Sequence, residues 1–436
     1  CARSCHGRYA MTTSGSESSR PAALNTSAIQ NALALEDYDT VIAEVRAAFA
    51  ADPVAALADP TINHWLGRRF RNIFIDEAAV DPEAVKHSEA PFPIRLVDQR
   101  DIRERVAKRM IRHISDDEIK TQMPTPAIPA ISETTIVFAP GLLTGLLPDL
   151  AFQSVWPEIT RRFGIRVIAS DSHPMRSSEK NVVDLENAIE RGVGFADGQP
   201  SELVTAEDNP TPPGDVILIG YSKGSPDILA LLAARPDLAP RIKAVIGWAG
   251  AVGGSYLAND IYEKLKSLPM YNQIADLTTS EVGKQVFRLA PVAEIKAINR
   301  RVDEYDVLGA INSLTTGVRE KFLTDHASAI NALPIPQFYF TGSTSLLEVP
   351  YFQRQGTLEL DKYDQDNDMQ ITQAQAAFPS PYAPRLAMFH ANHWDLSYDP
   401  FPLSRTMGSR HLKNEFARRP AMNAIVLFLA ELGLLN

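Results

Sequence analysis

The sequence predicts an α/β protein whose mostly parallel central sheet is flanked by helices. Two observations carry that expectation. From about residue 133 the chain alternates helical stretches with short apolar, β-branched runs: TTIVFAPG, IRVIASDS, DVILIGYS, AVIGWAG, PQFYFTGS and RLAMFHAN. Their apolarity is continuous rather than alternating, the pattern of strands buried on both faces between helical layers. The third run leads straight into Gly220-Tyr221-Ser222-Lys223-Gly224 and then into the helical SPDILALLAARPD, a strand–turn–helix succession.

Composition narrows the class. The chain has 436 residues with 43 Lys+Arg against 53 Asp+Glu, a formal charge of −10, so nothing electrostatic draws it to nucleic acid or anionic lipid. Apolar residues at 45% and charged residues at 22% are ordinary for a soluble globular protein and exclude global disorder. No apolar run reaches the length of a membrane-spanning helix. The two cysteines are Cys1 and Cys5, so the chain from Met11 onward offers no Cys nucleophile, Cys zinc site or disulfide framework. The segment before Met11 reads as lying upstream of a start. With no charged n-region and apolar h-region in view, a cytoplasmic location is expected.

The elements follow in order. Residues 1–24 are Ser/Thr/Gly-rich and offer little to bury, so disorder is expected there. Residues 25–132 form a helical N-terminal extension and linker. YDTVIAEVRAAFAADP, NHWLGRRFRNIF and RDIRERVAKRMIRHI space apolar residues three and four apart, and Pro124, Pro126 and Pro129 then preclude a helix. Residues 133–436 form the α/β domain. Within it, about 255–333 is mainly helical and interrupts the strand rhythm, as either a cap over a site or an extension of the core.

Gly220, Ser222 and Gly224 make G-x-S-x-G. A serine on a tight strand-to-helix turn needs neighbours without side chains two residues to either side, and the helix that begins there aims N–H groups at the site. On these residues the sequence resembles the α/β-hydrolase superfamily, in particular serine esterases and lipases, over roughly residues 133–436. The resemblance implies an α/β-hydrolase fold and a nucleophile, acid and histidine in that chain order. It also implies an acyl-enzyme mechanism on a small-molecule or lipid-like ester, with no metal and no organic cofactor.

Ser222 is then the nucleophile. The histidine belongs on the loop after the last strand, where RLAMFHANHWDLSYD offers two. His390 still lies in the apolar run, whereas His393 follows it, so His393 is preferred as base. His64 and His113, in the N-terminal helices, read as surface residues. The acid must accept the second ring N–H. Asp368, 393 − 368 = 25 residues before His393, sits in Asn-Asp-Met-Gln-Ile, similar to the Asn-Asp-Gly-x-Val segment of many lipases, with Met369 in the glycine position. Glu348 is the second choice. Asp364 to Asp368 also mimic an EF-hand loop, but Met369 and Gln375 stand where glycine and a bidentate Glu are required.

The oxyanion-hole donors would be the backbone N–H groups of Lys223 and, by position after TTIVFAP, Leu142. The side chain of Lys223 reads as the partner of a buried carboxylate, with contact to an anionic substrate group as the alternative, and Arg176 reads as a solvated surface residue, with a place at the border of the site as the alternative. The leucine-rich GLLTGLLPDLAF suggests an apolar acyl pocket or plain core. The same constellation also suits a thioesterase or acyltransferase, and the fold alone would suit a catalytically idle binding protein. Oligomeric state is not legible.

Overall fold

A computed structural model describes residues 25–131, 133–200, 202–268 and 301–435. The segment 1–24 and the stretch 269–300 of the expected cap lie outside these residues. Eight strands form one sheet: β1 (Thr135–Ala139), β2 (Arg166–Ala169), β3 (Gly194–Ala196), β4 (Leu203–Val204), β5 (Val216–Tyr221), β6 (Ile242–Trp248), β7 (Gln337–Ser343) and β8 (Arg385–His390). Their spatial order is β4-β3-β2-β1-β5-β6-β7-β8. The six strands expected from the apolar runs pair in parallel, while β3 and β4 add a short antiparallel edge beside β2. β1 and β5 are buried along their whole length, which is why their sequences carry no polar alternation.

Helices cover both faces. Gly224–Ala234 and Ser178–Arg191 pack together on one side, on a core that includes Val137, Leu218, Ile228 and Leu231. The other side is covered by Arg418–Glu431 and by the N-terminal helix Pro60–Ala79, in a second core that runs from Ile29 to Leu435. Pro60–Ala79 starts where Asp59 accepts from Thr61 N at 2.8 Å and Ile62 N at 3.0 Å, with Pro60 in the first turn where no N–H is missed. Its Phe70 ring lies 4.7 Å from Phe340 of β7 and 5.9 Å from Phe428. Arg69, fully buried, forms a two-pronged pair with Glu431 of the last helix. The extension therefore shares its core with the sheet.

It also meets the sheet's edge. Ile111 makes an antiparallel bridge to Phe389, Arg112 N donates to Met388 O at 2.8 Å, and Arg71 Nη1 donates to Leu386 O at 2.9 Å. Between β6 and β7 the described part of the insertion is helical: Tyr256–Leu265, Val307–Asn312 and Thr316–Asn331.

Candidate active site

The turn after β5 places Ser222 at φ +52°, a left-handed conformation that costs a non-glycine residue about 1–3 kcal/mol. Hydrogen bonds hold it there. Ser222 N donates to Trp248 O at 3.2 Å, and Ser222 O accepts from Ala251 N at 3.0 Å and Ser225 N at 3.2 Å. The two flanking glycines are steric requirements. A Cβ on Gly220 would lie 2.7 Å from Ser225 N, and one on Gly224 would lie 1.9 Å from Ala139 O at the end of β1.

His393 reaches this serine from the loop after β8, with Nε2 2.9 Å from Ser222 Oγ. Its Nδ1 lies 2.7 Å from Asp368 Oδ2. The other oxygen, Oδ1, accepts from Gln370 N at 2.9 Å and Ile371 N at 2.7 Å, so the carboxylate is fixed from both ends. Asp368 and His393 are each 1% exposed, whereas Ser222 is half-buried. Met369 takes the conformation expected of the glycine it replaces, at φ +84°, with its side chain buried in the core.

The alternatives fall elsewhere. His390 Nε2 pairs with Glu348 Oε2 at 3.0 Å, beside the Ser222 cluster rather than in it, and that hydrogen bond holds the Glu348 carboxyl down at about 2. His64 and His113 are exposed, the latter 3.1 Å from Asp366. Asp364 and Asn367 spend their side chains on the turn itself: Asp364 accepts from the N–H groups of Asp366 and Gln373, and Asn367 Nδ2 donates to Asp361. Among the described residues no His, Cys, Asp and Glu cluster is set to hold a metal ion.

Lys223 follows the serine with its side chain fully buried. Its Nζ lies 2.7 and 3.0 Å from the two oxygens of Asp227, four residues on, which also accepts from Asn181 Nδ2 at 2.9 Å. Burial pushes the Lys223 ammonium below its usual range, and Asp227 opposes that shift. The ammonium thus braces the elbow helix and does not face the site. Neither Lys223 N nor Leu142 N donates a hydrogen bond among the described residues. The loop that carries Leu142 touches the serine: a Cβ on Gly141 would lie 3.0 Å from Ser222 Cβ.

Two residues depart from the sequence reading. Arg176 is buried, not solvated, and pairs with Asp184, eight residues on, and with Glu304 from a distant segment. Tyr221, a variable position of G-x-S-x-G, lies under His393: the rings stack with centroids 5.1 Å apart, and the Tyr221 hydroxyl donates to His393 O at 3.0 Å. Burial raises the Tyr221 pKa well above its ordinary value, which keeps that donor protonated.

A cavity of about 230 Å³ opens at the carboxyl ends of β1 and β2. Pro140, Thr144 and Leu146 of the loop after β1 form one wall, Ser170 to Pro174 another, and Arg301 and Tyr305 a third.

No family model and no curated protein matches the sequence. Among solved structures, a metagenomic carboxyl esterase aligns at 21% identity with a TM-score of 0.56, covering 83% of this chain and 91% of its own. The fold is that of an α/β-hydrolase. The mature Bacillus licheniformis lipase aligns at 20% identity over 63% of this chain and 89% of its own, with a TM-score of 0.41. EstA from Clostridium botulinum aligns at 12% over 72% and 92%, with a TM-score of 0.42. Ser222 lies on the turn between β5 and the helix Gly224–Ala234, and the loops after β7 and β8 carry Asp368 and His393. No helix among the described residues is long and apolar enough to cross a membrane.

Proposed function

We propose that this protein is a serine hydrolase that cleaves carboxylic esters through an acyl-enzyme on Ser222. One observation carries the reading: an unbroken hydrogen-bonded line from Ser222 Oγ through His393 to Asp368, at 2.9 and 2.7 Å, on a strained elbow. The likeness of the fold to a metagenomic carboxyl esterase supports it.

In this mechanism Ser222 Oγ attacks the ester carbonyl carbon while His393 Nε2 takes its proton. Asp368 accepts the Nδ1–H, so Nε2 is the basic nitrogen, and it stabilises the imidazolium that forms. The carbonyl oxygen becomes an oxyanion held by the N–H groups of Lys223 and Leu142, each worth about 3–4 kcal/mol in such a position. The tetrahedral intermediate collapses, and the departing alkoxide takes the proton from His393 Nε2. Water then adds to the acyl-enzyme by the same path, leaving the free acid and Ser222 restored. The side chains that do this work need no metal and no organic cofactor.

The test is labelling with a fluorophosphonate probe, mapped to its peptide, alongside a panel of ester and thioester substrates. Labelling is expected at Ser222, and Ser222→Ala is expected to lose labelling and at least about 10⁴-fold in kcat. Full ester hydrolysis by Ser222→Ala overturns the proposal. Preference for thioesters over oxygen esters of the same acid replaces the ester reading with a thioesterase on the same residues.

A further inference from the structure

We propose that Tyr221 is a positioning residue for the base: its hydroxyl ties His393 to the serine turn, and its ring steadies the imidazolium that forms when Ser222 gives up its proton. This rests on the serine-hydrolase reading above.

The bonds of His393 divide between two places. Its backbone N–H and its Nδ1 go to Asp368, at 2.8 and 2.7 Å. Its carbonyl oxygen and its Nε2 go to consecutive residues of the serine turn. The carbonyl accepts from the Tyr221 hydroxyl at 3.0 Å, and Nε2 lies 2.9 Å from Ser222 Oγ. Asp368 thus fixes how the imidazole is turned, but not how far it stands from the nucleophile. Tyr221 supplies that second constraint. It is the last residue of β5, directly before the strained Ser222, so its hydroxyl holds the histidine main chain at a fixed offset from the nucleophile. A misplacement of about 1 Å between reacting groups can cost on the order of 10²-fold in rate.

The tyrosine can hold because it is itself held. It is buried and pairs with Trp248 of β6, and Tyr398 meets its ring edge-on with centroids 5.9 Å apart. The loop after β1 lies tight against the ring, where a Cβ on Gly141 would stand 3.2 Å from Tyr221 Cδ1 and Cε1. The wider histidine loop has an anchor of its own. Trp248 Nε1 donates to Leu396 O at 3.2 Å, three residues after His393, so loss of the Tyr221 hydroxyl leaves the loop in place and frees the histidine locally.

The ring acts on charge. It lies under the imidazole with centroids 5.1 Å apart and planes 30° from parallel, within the range over which an aromatic face attracts a cation. The neutral imidazole gains little from that face and the imidazolium gains more, so the stabilisation falls in the step where Nε2 takes the Ser222 proton. The titratable groups around the ring are Asp368 from the loop after β7, Tyr221 from β5 and, behind Tyr221, Tyr398 from the loop after β8. Burial pushes both phenols up from their ordinary values, so both stay neutral and the Tyr221 hydroxyl stays a donor.

The experiment takes the wild type, Tyr221→Phe, Tyr221→Leu and Tyr221→Met through p-nitrophenyl butyrate hydrolysis across the pH range. The urea midpoint and fluorophosphonate labelling of Ser222 are read in parallel. Tyr221→Phe is expected to lower kcat by about tenfold to a hundredfold at an unchanged KM, and to keep the acid limb of the kcat/KM profile where the wild type has it. The Leu and Met variants are expected to lose at least as much in kcat. They are also expected to move that limb to lower pH by about half a unit to one unit, because the imidazolium has lost the face beneath it. A tyrosine that merely filled the core would change the urea midpoint and leave the limb in place in every variant. Wild-type kcat in Tyr221→Phe overturns the tie. A limb that stays or rises in the Leu or Met variant overturns the part given to the ring. Absence of both labelling and hydrolysis in the wild type removes the serine-hydrolase reading instead.

Discussion

The backbone N–H of His393 donates to the carbonyl oxygen of Asp368 at 2.8 Å, so these two residues are joined through the main chain as well as through Nδ1 and Oδ2. Asp368 N in turn donates to Ile371 O at 3.1 Å, closing the turn on itself. The acid and the imidazole therefore move as one body, which leaves the serine elbow as the other part that must be aligned.

This arrangement separates the two candidate acids by kinetics. In Asp368→Asn the amide oxygen keeps the bonds from Gln370 and Ile371, which turns the amide nitrogen toward His393 Nδ1. The histidine is then held with its proton on Nε2 and cannot accept one from Ser222. A fall in kcat on the order of 10⁴-fold is expected. Glu348→Gln is expected to change kcat/KM by less than about tenfold, equivalent to less than about 1.4 kcal/mol in activation energy, since its partner is His390. A larger loss in Glu348→Gln than in Asp368→Asn would exchange the roles.

Lys223 and Asp227 make a second testable pair. Removing one partner of a buried ion pair costs about 3–5 kcal/mol, because the other charge is stranded, whereas replacing both by apolar groups costs far less. Lys223→Met and Asp227→Leu are each expected to lower the urea midpoint sharply, and the double variant is expected to recover most of the loss. Asn181 Nδ2 keeps its bond to His173 O at 3.2 Å in the double variant but loses the one to Asp227, so the recovery is expected to be large and not complete. Additive losses in the cycle would show that the two side chains do not act as a pair.

Acid sensitivity has an identifiable contributor in His173. Burial, with the Arg301 and Arg176 cations beside it, pushes its pKa down from 6.5 to about 4. Between those values the unfolded chain takes up a proton that the folded protein refuses, so folding stability falls as pH falls through that window. The contribution is complete above pH 6.5. His173→Gln is expected to lose less of its urea midpoint between pH 7.5 and pH 5 than the wild type does. Parallel losses would mean that His173 is not kept neutral by the fold.

The parts of this architecture that were legible in sequence are those with local causes. β1, β2 and β5 to β8 announce themselves because burial on both faces demands unbroken apolar runs. β3 and β4 are three and two residues long and only partly buried, so nothing distinguishes them from a loop. The elbow is readable because Gly220 and Gly224 answer to contacts with Ser225 and Ala139 within the same motif and its neighbour strand. The Lys223 partner lies one helical turn away, within reach of inspection. The burial of Arg176 is not legible because Glu304, which closes over it beside the nearby Asp184, is 128 residues distant, and the role of Tyr221 is not legible because His393 is 172 residues distant. The helical rhythm of residues 60–79 was evident, but not that Phe70 and Arg69 complete the core, since their partners arrive only with β7 and the final helix.

The meeting of the N-terminal extension with β8 has a consequence for assembly. β8 is the last strand of the sheet, and a bare last strand is a template on which another chain can build. Here the outward carbonyls of Leu386 and Met388 are already taken by Arg71 and by Arg112 N, and Ile111 bridges Phe389. The extension thus works as a built-in blocking strand. A chain shortened past Ile111 would present an adhesive flank, and intermolecular β-stacking would compete with its folding.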